Sequence, residues 1–278
     1  MLLTSVFIRI TPDMTDISPQ KRVYWEYQYR LGKEYIAPLL AEWGVAFEKA
    51  WVLDIGCGEG GVLCALAEAG AQGVGLEISP GRLAIGRQLA PGGRHSRVDF
   101  VAADFFCPPL AQNHRPLDLI ILRDVFEHLP NKPLAIQRLR DLMQPGTKLF
   151  ITFPPFYAPF GGHQQMLKSF LRRTPYFHTV PEILWKGIRG WIQRFDGNPK
   201  FLDEMEKLRR HRVSIGGFRK MVRAHGLRIC REKFYISRPS YHIRFGWPII
   251  RGDFLRRIPL VREVLISGAF FLIERGDE

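Results

Sequence analysis

No cysteine pair stands at C-x-x-C spacing in this sequence. The four cysteines, Cys57, Cys64, Cys107 and Cys230, are scattered and show no metal-like spacing. This excludes a zinc ribbon or a small disulfide scaffold and suits reduced thiols in a cytosolic protein. Long hydrophobic runs are also missing. The longest uncharged apolar stretch, residues 264–273, falls far short of the roughly 20 residues that a helical membrane span needs. The first residues, MLLTSVFIRITPDM, lack a basic start and make a poor signal peptide. There is no internal repeat and no low-complexity tract. Acidic residues run short in one half only. Residues 1–153 hold 16 Lys+Arg and 16 Asp+Glu, whereas residues 154–278 hold 24 and 11, which accounts for the whole formal charge of +13. A solvated surface satisfies that imbalance, and so does an anionic partner: a phosphorylated substrate, a membrane surface or a nucleic acid.

What is present is ordinary for a globular chain. Of 278 residues, 46% are hydrophobic and 24% charged, enough apolar material for one or two domains with a real core. From Trp25 the aromatic N-terminal stretch has helical spacing, with a break predicted near Pro38. Strand and helix patterns then alternate. Strands are predicted at 50–55, 73–78, 98–102, 117–122 and 148–153, and helices at 62–69, 80–89 and 134–143. This rhythm predicts an α/β fold, a doubly wound sheet with helices on both faces. It breaks after Phe153. Residues 154–200 hold nine aromatics (Phe156, Tyr157, Phe160, Phe170, Tyr176, Phe177, Trp185, Trp191 and Phe195), which reads as a lid covering a site or as a small core of its own. Ser214 is a plausible N-cap for a helix running to Gly226. Residues 227–236 and 269–274 read as the last strands, joined by a basic, aromatic connection at 238–262. The organisation expected is therefore an N-terminal helical cap at 1–48, a cofactor-binding core at 49–153, a lid at 154–212, and the rest of the sheet at 213–278.

The sharpest local signal is WVLDIGCGEGG, residues 51–61. A strand enters a turn rich in glycine, which lets the backbone close tightly and approach a ligand, and the next helix offers free N–H groups. Gly56, Gly58 and Gly61 also satisfy G-x-G-x-x-G, so a nicotinamide dinucleotide is one reading. Asp54 lies two residues before the first glycine. Glu77 ends the second strand, where a carboxylate can accept from both hydroxyls of a ribose. Asp104 follows the third strand, where it can accept from an adenine amino group, or simply form a turn.

The full series, DIGCGEGG…GVGLEIS…VAADFF…LDLIILRDVFEHL…QPGTKLFITFPP, resembles the class I S-adenosylmethionine-dependent methyltransferases, in their small-molecule branch. The resemblance covers the order and spacing of motifs over 50–153 and, more weakly, 213–236 and 268–275. It implies a Rossmann-like seven-stranded sheet, mostly parallel with the last strand antiparallel, and a lid inserted after the fifth strand. It implies S-adenosyl-L-methionine as cofactor and S-adenosyl-L-homocysteine as product. By the same resemblance the loop of Gly56, Cys57 and Gly58 holds the methionine part and Asp54 orients that loop. Glu77, with Ile78 beside it, holds the ribose, and Asp104 with Phe105 the adenine. Arg123 and Asp124 lie near the sulfonium, and Tyr27 and Arg30 of the N-terminal helix close over the methionine carboxylate. FPPF at 153–156 looks like the N-P-P-Y motif of amino-methylating nucleic-acid enzymes, but that motif follows the fourth strand and this one the fifth.

Methyl transfer from a sulfonium needs alignment, exclusion of water and, for a hydroxyl acceptor, removal of a proton. No metal is needed for that, and the spacing of ligand-type residues predicts none. His163, in PPFYAPFGGHQQ, is the candidate base because an unperturbed imidazole titrates near neutral pH; a loop-pinning hydrogen bond is the competing role. Tyr157 is placed as a pocket residue or hydroxyl orienter, and His128 and Glu127 as structural supports. The expected reaction is O-methylation of a small-molecule or lipid-like, anionic acceptor. The segment 238–262, with six arginines, one acid and four aromatics, suits peripheral membrane contact or an anionic ligand, and equally a solvated connection with its aromatics tucked into the core. An RNA methyltransferase using the basic half and an NAD or adenosine-ligand binding protein are the alternatives. Nucleic acid is disfavoured because no RNA-binding module is present.

Overall fold

A computed structural model describes residues 17–90, 97–107, 115–196 and 199–276; the N-terminal stretch judged above as a poor signal peptide lies outside the described residues. The chain order is α1 (Pro19–Leu31), α2 (Ala37–Glu42), β1 (Trp51–Ile55), α3 (Gly61–Glu68), β2 (Gln72–Glu77), α4 (Pro80–Leu89), β3 (Val98–Ala102), β4 (Leu119–Arg123), α5 (Lys132–Leu142) and β5 (Lys148–Phe153). Then come α6 (Glu182–Phe195), α7 (Pro199–Arg210), α8 (Ile215–Ala224), β6 (Leu227–Ser237), α9 (Pro239–Phe245), β7 (Ile250–Arg251), α10 (Pro259–Leu265) and β8 (Gly268–Arg275). Among these helices none is long and apolar enough to cross a membrane.

The strands form one sheet in the order β3-β2-β1-β4-β5-β8-β6-β7. β1 to β5 are mutually parallel, and β8 runs antiparallel to both β5 and β6. The sheet thus has eight strands, not the predicted seven. The extra one, β7, is two residues long and pairs with the outer edge of β6. Flanked by Pro248 and Gly252, it is too short to leave a periodic signal. The predicted break at Pro38 is also absent. A single π-helical stretch, Gly32–Ile36, carries α1 into α2, and Pro38 sits in the first turn of α2, where its missing N–H costs nothing.

Burial follows from the patterns. β4 is almost wholly buried, as a central parallel strand requires. On one face of the sheet Val52, Ile121 and Phe150 pack with Leu63 and Leu66 of α3 and with α1 and α2. The other packs Ile136, Leu139, Phe153, Phe218 and Phe271. The Ser214 hydroxyl accepts from the Gly217 N–H at 3.0 Å, the expected cap of α8. The insertion has its own small core of Leu167, Phe177, Trp185, Ile192, Leu202 and Met205.

Four of the six arginines in 238–262 are spent internally. Arg238 pairs with Asp124, Arg251 with Asp253, Arg256 with Glu232 and Arg262 with Glu263. Arg238 and Arg256 thus tie the segment to the turn after β4 and to β6, whereas Arg251 and Arg262 pair with acids close by in sequence.

Candidate active site

The parallel strands β1 to β4 all end at one edge, and the loops that leave them meet there. Gly56 has φ 70° and a Cβ on it would lie 2.4 Å from Val125 Cγ2, so only glycine lets the turn after β1 pass under the turn after β4. The Gly56 and Cys57 N–H groups both donate to the Leu76 carbonyl, at 2.7 and 3.1 Å. From outside, Arg82 grips Glu59 at 2.8 and 3.0 Å, and Gln28 of α1 donates to the same carboxylate at 3.1 Å. The glycine turn is thus clamped between α1 and α4.

At this edge opens a cleft of about 690 Å³. Gly56, Glu77, Ile78, Asp104, Phe105, Arg123, Asp124, Tyr27 and His163 line it, nine of the residues singled out in the sequence. Asp54, Cys57, Gly58, Arg30 and Tyr157 are not among the lining residues. Asp54 is buried within β1, and burial, reinforced by Glu77 and opposed by Arg123, pushes its carboxyl up to about 7. Cys57 is buried behind the turn. Gly58 faces Arg82 and Gln28. Arg30 is a surface residue paired with Glu34 at 2.7 Å. Tyr157 packs edge-on against Phe156 and is 38% exposed. Arg30 and Tyr157 thus do not reach the place their expected roles require.

Glu77 explains how the loop is held. One carboxylate oxygen accepts from the Gly58 N–H and the other from the Ser79 N–H, each at 3.0 Å. Arg82 Nη1 also donates to this carboxylate, at 3.5 Å; of a carboxylate's roughly four lone-pair sites about one stays wholly free, and the one held at 3.5 Å is the other that a ligand could take. Asp104 uses one oxygen to accept from the Phe106 N–H at 2.9 Å, a turn, and keeps the other. Asp124 has φ 54°. Its Oδ1 accepts from Arg238 Nη1 at 3.0 Å and from the Thr152 hydroxyl at 3.3 Å, and its Oδ2 from Arg123 Nη1 at 3.5 Å. Burial alone would raise this acid; the two guanidiniums win and hold it below its ordinary value.

None of the nine aromatics of 154–200 lines the cleft, so the aromatic pocket read from sequence is corrected. Trp185 and Phe177 are core, and Phe170 and Phe195 face outward. What the insertion contributes to the cleft is His163, Gln165 and Met166. Buried His178 accounts for the loop's shape: its Nε2 meets the Phe156 carbonyl at 2.6 Å. Two further arginines from the connection, Arg238 and Arg244, line the cleft; the sequence marked the basic segment they belong to, but not that these two would reach this site. Arg244 stacks over the Tyr27 ring, 5.5 Å from its centroid.

His163 does not stand alone. Its Nε2 lies 3.9 Å from Glu127 Oε1, and His128 Nε2 lies 3.6 Å from the same oxygen. The other nitrogen of His128, Nδ1, faces Glu204 Oε1 of α7 at 2.6 Å. Glu127 is 2% exposed and neither carboxylate oxygen has a hydrogen-bond partner. Burial, partly offset by His128, raises its carboxyl to about 7. For His163, burial and the neighbouring His128 and Arg238 charges pull the ring down to about 3. The expectation that it titrates near neutral pH is therefore corrected. Its ring is neutral over the working range, with a lone pair but little basicity.

Asp54 gives a pH test of the buried sheet edge. Its folded value of about 7 lies above the ordinary 3.8, so stability falls as pH rises between the two and is lowest once the carboxylate is forced to ionise. Asp54→Asn should raise the melting temperature by several degrees at about pH 8 and by less at about pH 5. Equal gains in melts at both pH values would show that the carboxyl ionises normally.

Known proteins resemble this chain in sequence and in fold. The family model described as a methyltransferase domain matches residues 24–231. A methyltransferase of Mycobacteroides abscessus, itself uncharacterized, is 28% identical over 232 residues, 83% of this chain and 78% of that one. The ubiquinone biosynthesis O-methyltransferase of Aromatoleum aromaticum is 29% identical over 150 residues, 50% of this chain and 62% of that one. Among solved structures, magnesium protoporphyrin IX methyltransferase from Synechocystis, with S-adenosylhomocysteine bound, superposes with a TM-score of 0.52 at 19% identity, covering 94% of this chain and 90% of that one. An S-adenosylmethionine-dependent methyltransferase from Mesorhizobium loti gives 0.52 at 14% identity, covering 83% and 93%.

Proposed function

Because this chain belongs to the methyltransferase domain family, as a class I enzyme that uses S-adenosyl-L-methionine, we propose that it methylates an oxygen of a small, anionic acceptor. The observation that carries this reading is the cleft itself. One end holds Glu77, Asp104 and Phe105, and the other holds His128, His163, Gln165 and Met166, with Asp124 and Arg238 between. Its volume falls in the range of small-molecule sites and leaves room for a modest acceptor beside the cofactor. Two buried guanidiniums, Arg123 and Arg238, share the single Asp124 carboxylate. One positive charge is left over there, which favours an acceptor carrying negative charge. The named activity of the O-methyltransferase relative supports oxygen as the acceptor atom.

In this reading Glu77 clamps the ribose with its one free acceptor site and the one that Arg82 holds at 3.5 Å, Asp104 and Phe105 meet the adenine, and Ile78 covers it. Arg244 over Tyr27 takes the methionine carboxylate, the place first given to Arg30. The acceptor oxygen forms its bond to the methyl carbon as the sulfur–methyl bond breaks, and the sulfur keeps the electron pair. The acceptor's proton leaves at the histidine end. His163 is too weak a base to hold that proton alone, so its removal belongs to the group of His163, Glu127 and His128.

The test has two parts. Wild-type protein should bind S-adenosylhomocysteine and not NAD in calorimetry. A screen of carboxylated and phosphorylated hydroxyl compounds, read by S-adenosylhomocysteine release, should then yield a substrate. With it, His163→Ala should lower turnover by about 100-fold or more and leave S-adenosylhomocysteine affinity within about twofold. A variant running at full rate would remove His163 from the chemistry.

A further inference from the structure

We propose that Glu127, His128 and His163 form a binding site for one divalent transition-metal ion of the zinc, cobalt or iron(II) class. The ligand atoms are a carboxylate oxygen of Glu127 and one ring nitrogen from each histidine, and all lie within 4.8 Å of one another. The two nitrogen–oxygen separations of 3.6 and 3.9 Å are close to the about 3.4 Å between neighbouring ligand atoms around a tetrahedral centre with bonds near 2.1 Å. Modest rotation of the two rings would close the difference.

Geometry alone would leave this a cluster. The second observation is the state of Glu127. A carboxylate buried at 2% exposure with both oxygens unpartnered is costly unless something positive or hydrogen-bonding meets it. The ring nitrogens of His128 and His163 approach one of its oxygens at 3.6 and 3.9 Å, beyond hydrogen-bond distance. The third observation is Glu204. Its carboxylate sits 2.6 Å from His128 Nδ1, on the side of the ring away from the Nε2 that faces Glu127. A carboxylate behind a ligating histidine is the usual support for such a ring in metal sites. Two nitrogens and one oxygen suit a borderline cation, whereas magnesium and calcium prefer all-oxygen sets.

The site deepens the proposed function, and its catalytic role rests on that reading; binding of the metal does not. His128 and His163 both line the cleft, so the cation's remaining positions would face the acceptor. A hydroxyl held there would lose its proton to solvent more readily and present an oxygen anion to the methyl group. His163 then acts as a ligand through the Nε2 that faces Glu127.

The experiment is equilibrium dialysis of the metal-stripped full chain against cobalt(II) or zinc(II), with metal counted by atomic emission and the cobalt spectrum recorded. We expect about one ion per chain, with the visible bands of four- or five-coordinate cobalt. Glu127→Gln and His163→Ala should each weaken binding by about 100-fold or more, and Glu204→Gln by about 10-fold. Magnesium should not compete. S-adenosylhomocysteine binding by the same preparations shows that the variants are folded and tests the methyl-transfer reading separately. The proposal fails if wild-type protein that binds S-adenosylhomocysteine takes up no cobalt, or if Glu127→Gln binds it as tightly as wild type. It fails equally if magnesium displaces cobalt at similar concentrations.

Discussion

Glu77→Gln should weaken S-adenosylhomocysteine binding by about 100- to 1,000-fold, with the far-UV spectrum close to wild type and the melting temperature lower by a few degrees, because a buried backbone donor loses its acceptor. The substitution keeps the shape of the side chain and changes one oxygen into an NH₂ group. In the folded protein both oxygens already accept a backbone N–H, from Gly58 and Ser79. Whichever way the amide turns, it must put a donor against one of these donors. It also loses the negative charge that two ribose hydroxyls would meet. A hydrogen bond to a charged group contributes about 1.5–3 kcal/mol, and two of them account for the expected range. Arg82 lies 3.5 Å from the same carboxylate but is held chiefly by Glu59, so the helix behind the loop stays in place. Calorimetry decides the matter: near-native affinity would mean that Glu77 is a brace for the glycine turn and that the ribose is held elsewhere.

The parts of this molecule that local sequence controls were readable. β3 and β5 fall at the residues their apolar runs predicted, α4 starts at Pro80 as read, and Ser214 caps α8. The glycine turn, Glu77, Asp104 and Asp124 all come to one sheet edge because each ends or follows a parallel strand, and the strand order presents them there as Asp104, Glu77, glycine turn and Asp124. The parts that depend on what packs against what were not readable. Glu127 and His128 look like the start of an ordinary turn, and only the insertion reveals their setting, when it returns His163 and Glu204 to within reach. The arginines of 238–262 looked like a surface for anions. Arg238 instead enters the cleft to meet Asp124, far away in sequence, and a charge count cannot distinguish a buried guanidinium from a solvated one. The nine aromatics misled for a similar reason. Aromatic spacing says that an insertion has a core, not which side of that core faces a ligand.

Arg238→Met should lower the melting temperature by roughly 10 °C, since removing one partner of a buried ion pair costs about 3 kcal/mol or more. Arg238 is nearly buried and its guanidinium also lies over the Tyr241 ring at 5.0 Å. Methionine restores much of its volume but none of its charge, leaving Asp124 with Arg123 at 3.5 Å as its remaining cation. Adding Asp124→Asn to Arg238→Met should recover part of the loss, because it removes the uncompensated carboxylate. The non-additivity of the pair measures their interaction directly. The consequence reaches beyond stability. Asp124 sits at φ 54°, a conformation that a non-glycine residue keeps only where its surroundings over-determine it. Those surroundings are the Asp124 N–H on the Thr152 carbonyl at 2.9 Å, the Thr152 hydroxyl and Arg238. Cofactor affinity should therefore fall in Arg238→Met by about tenfold, although the arginine belongs to the connection after β6 and not to any of the turns that carry the glycine and acidic motifs. Unchanged affinity and an unchanged melting temperature together would mean that Thr152 alone holds Asp124, and that the arginine serves only the acceptor.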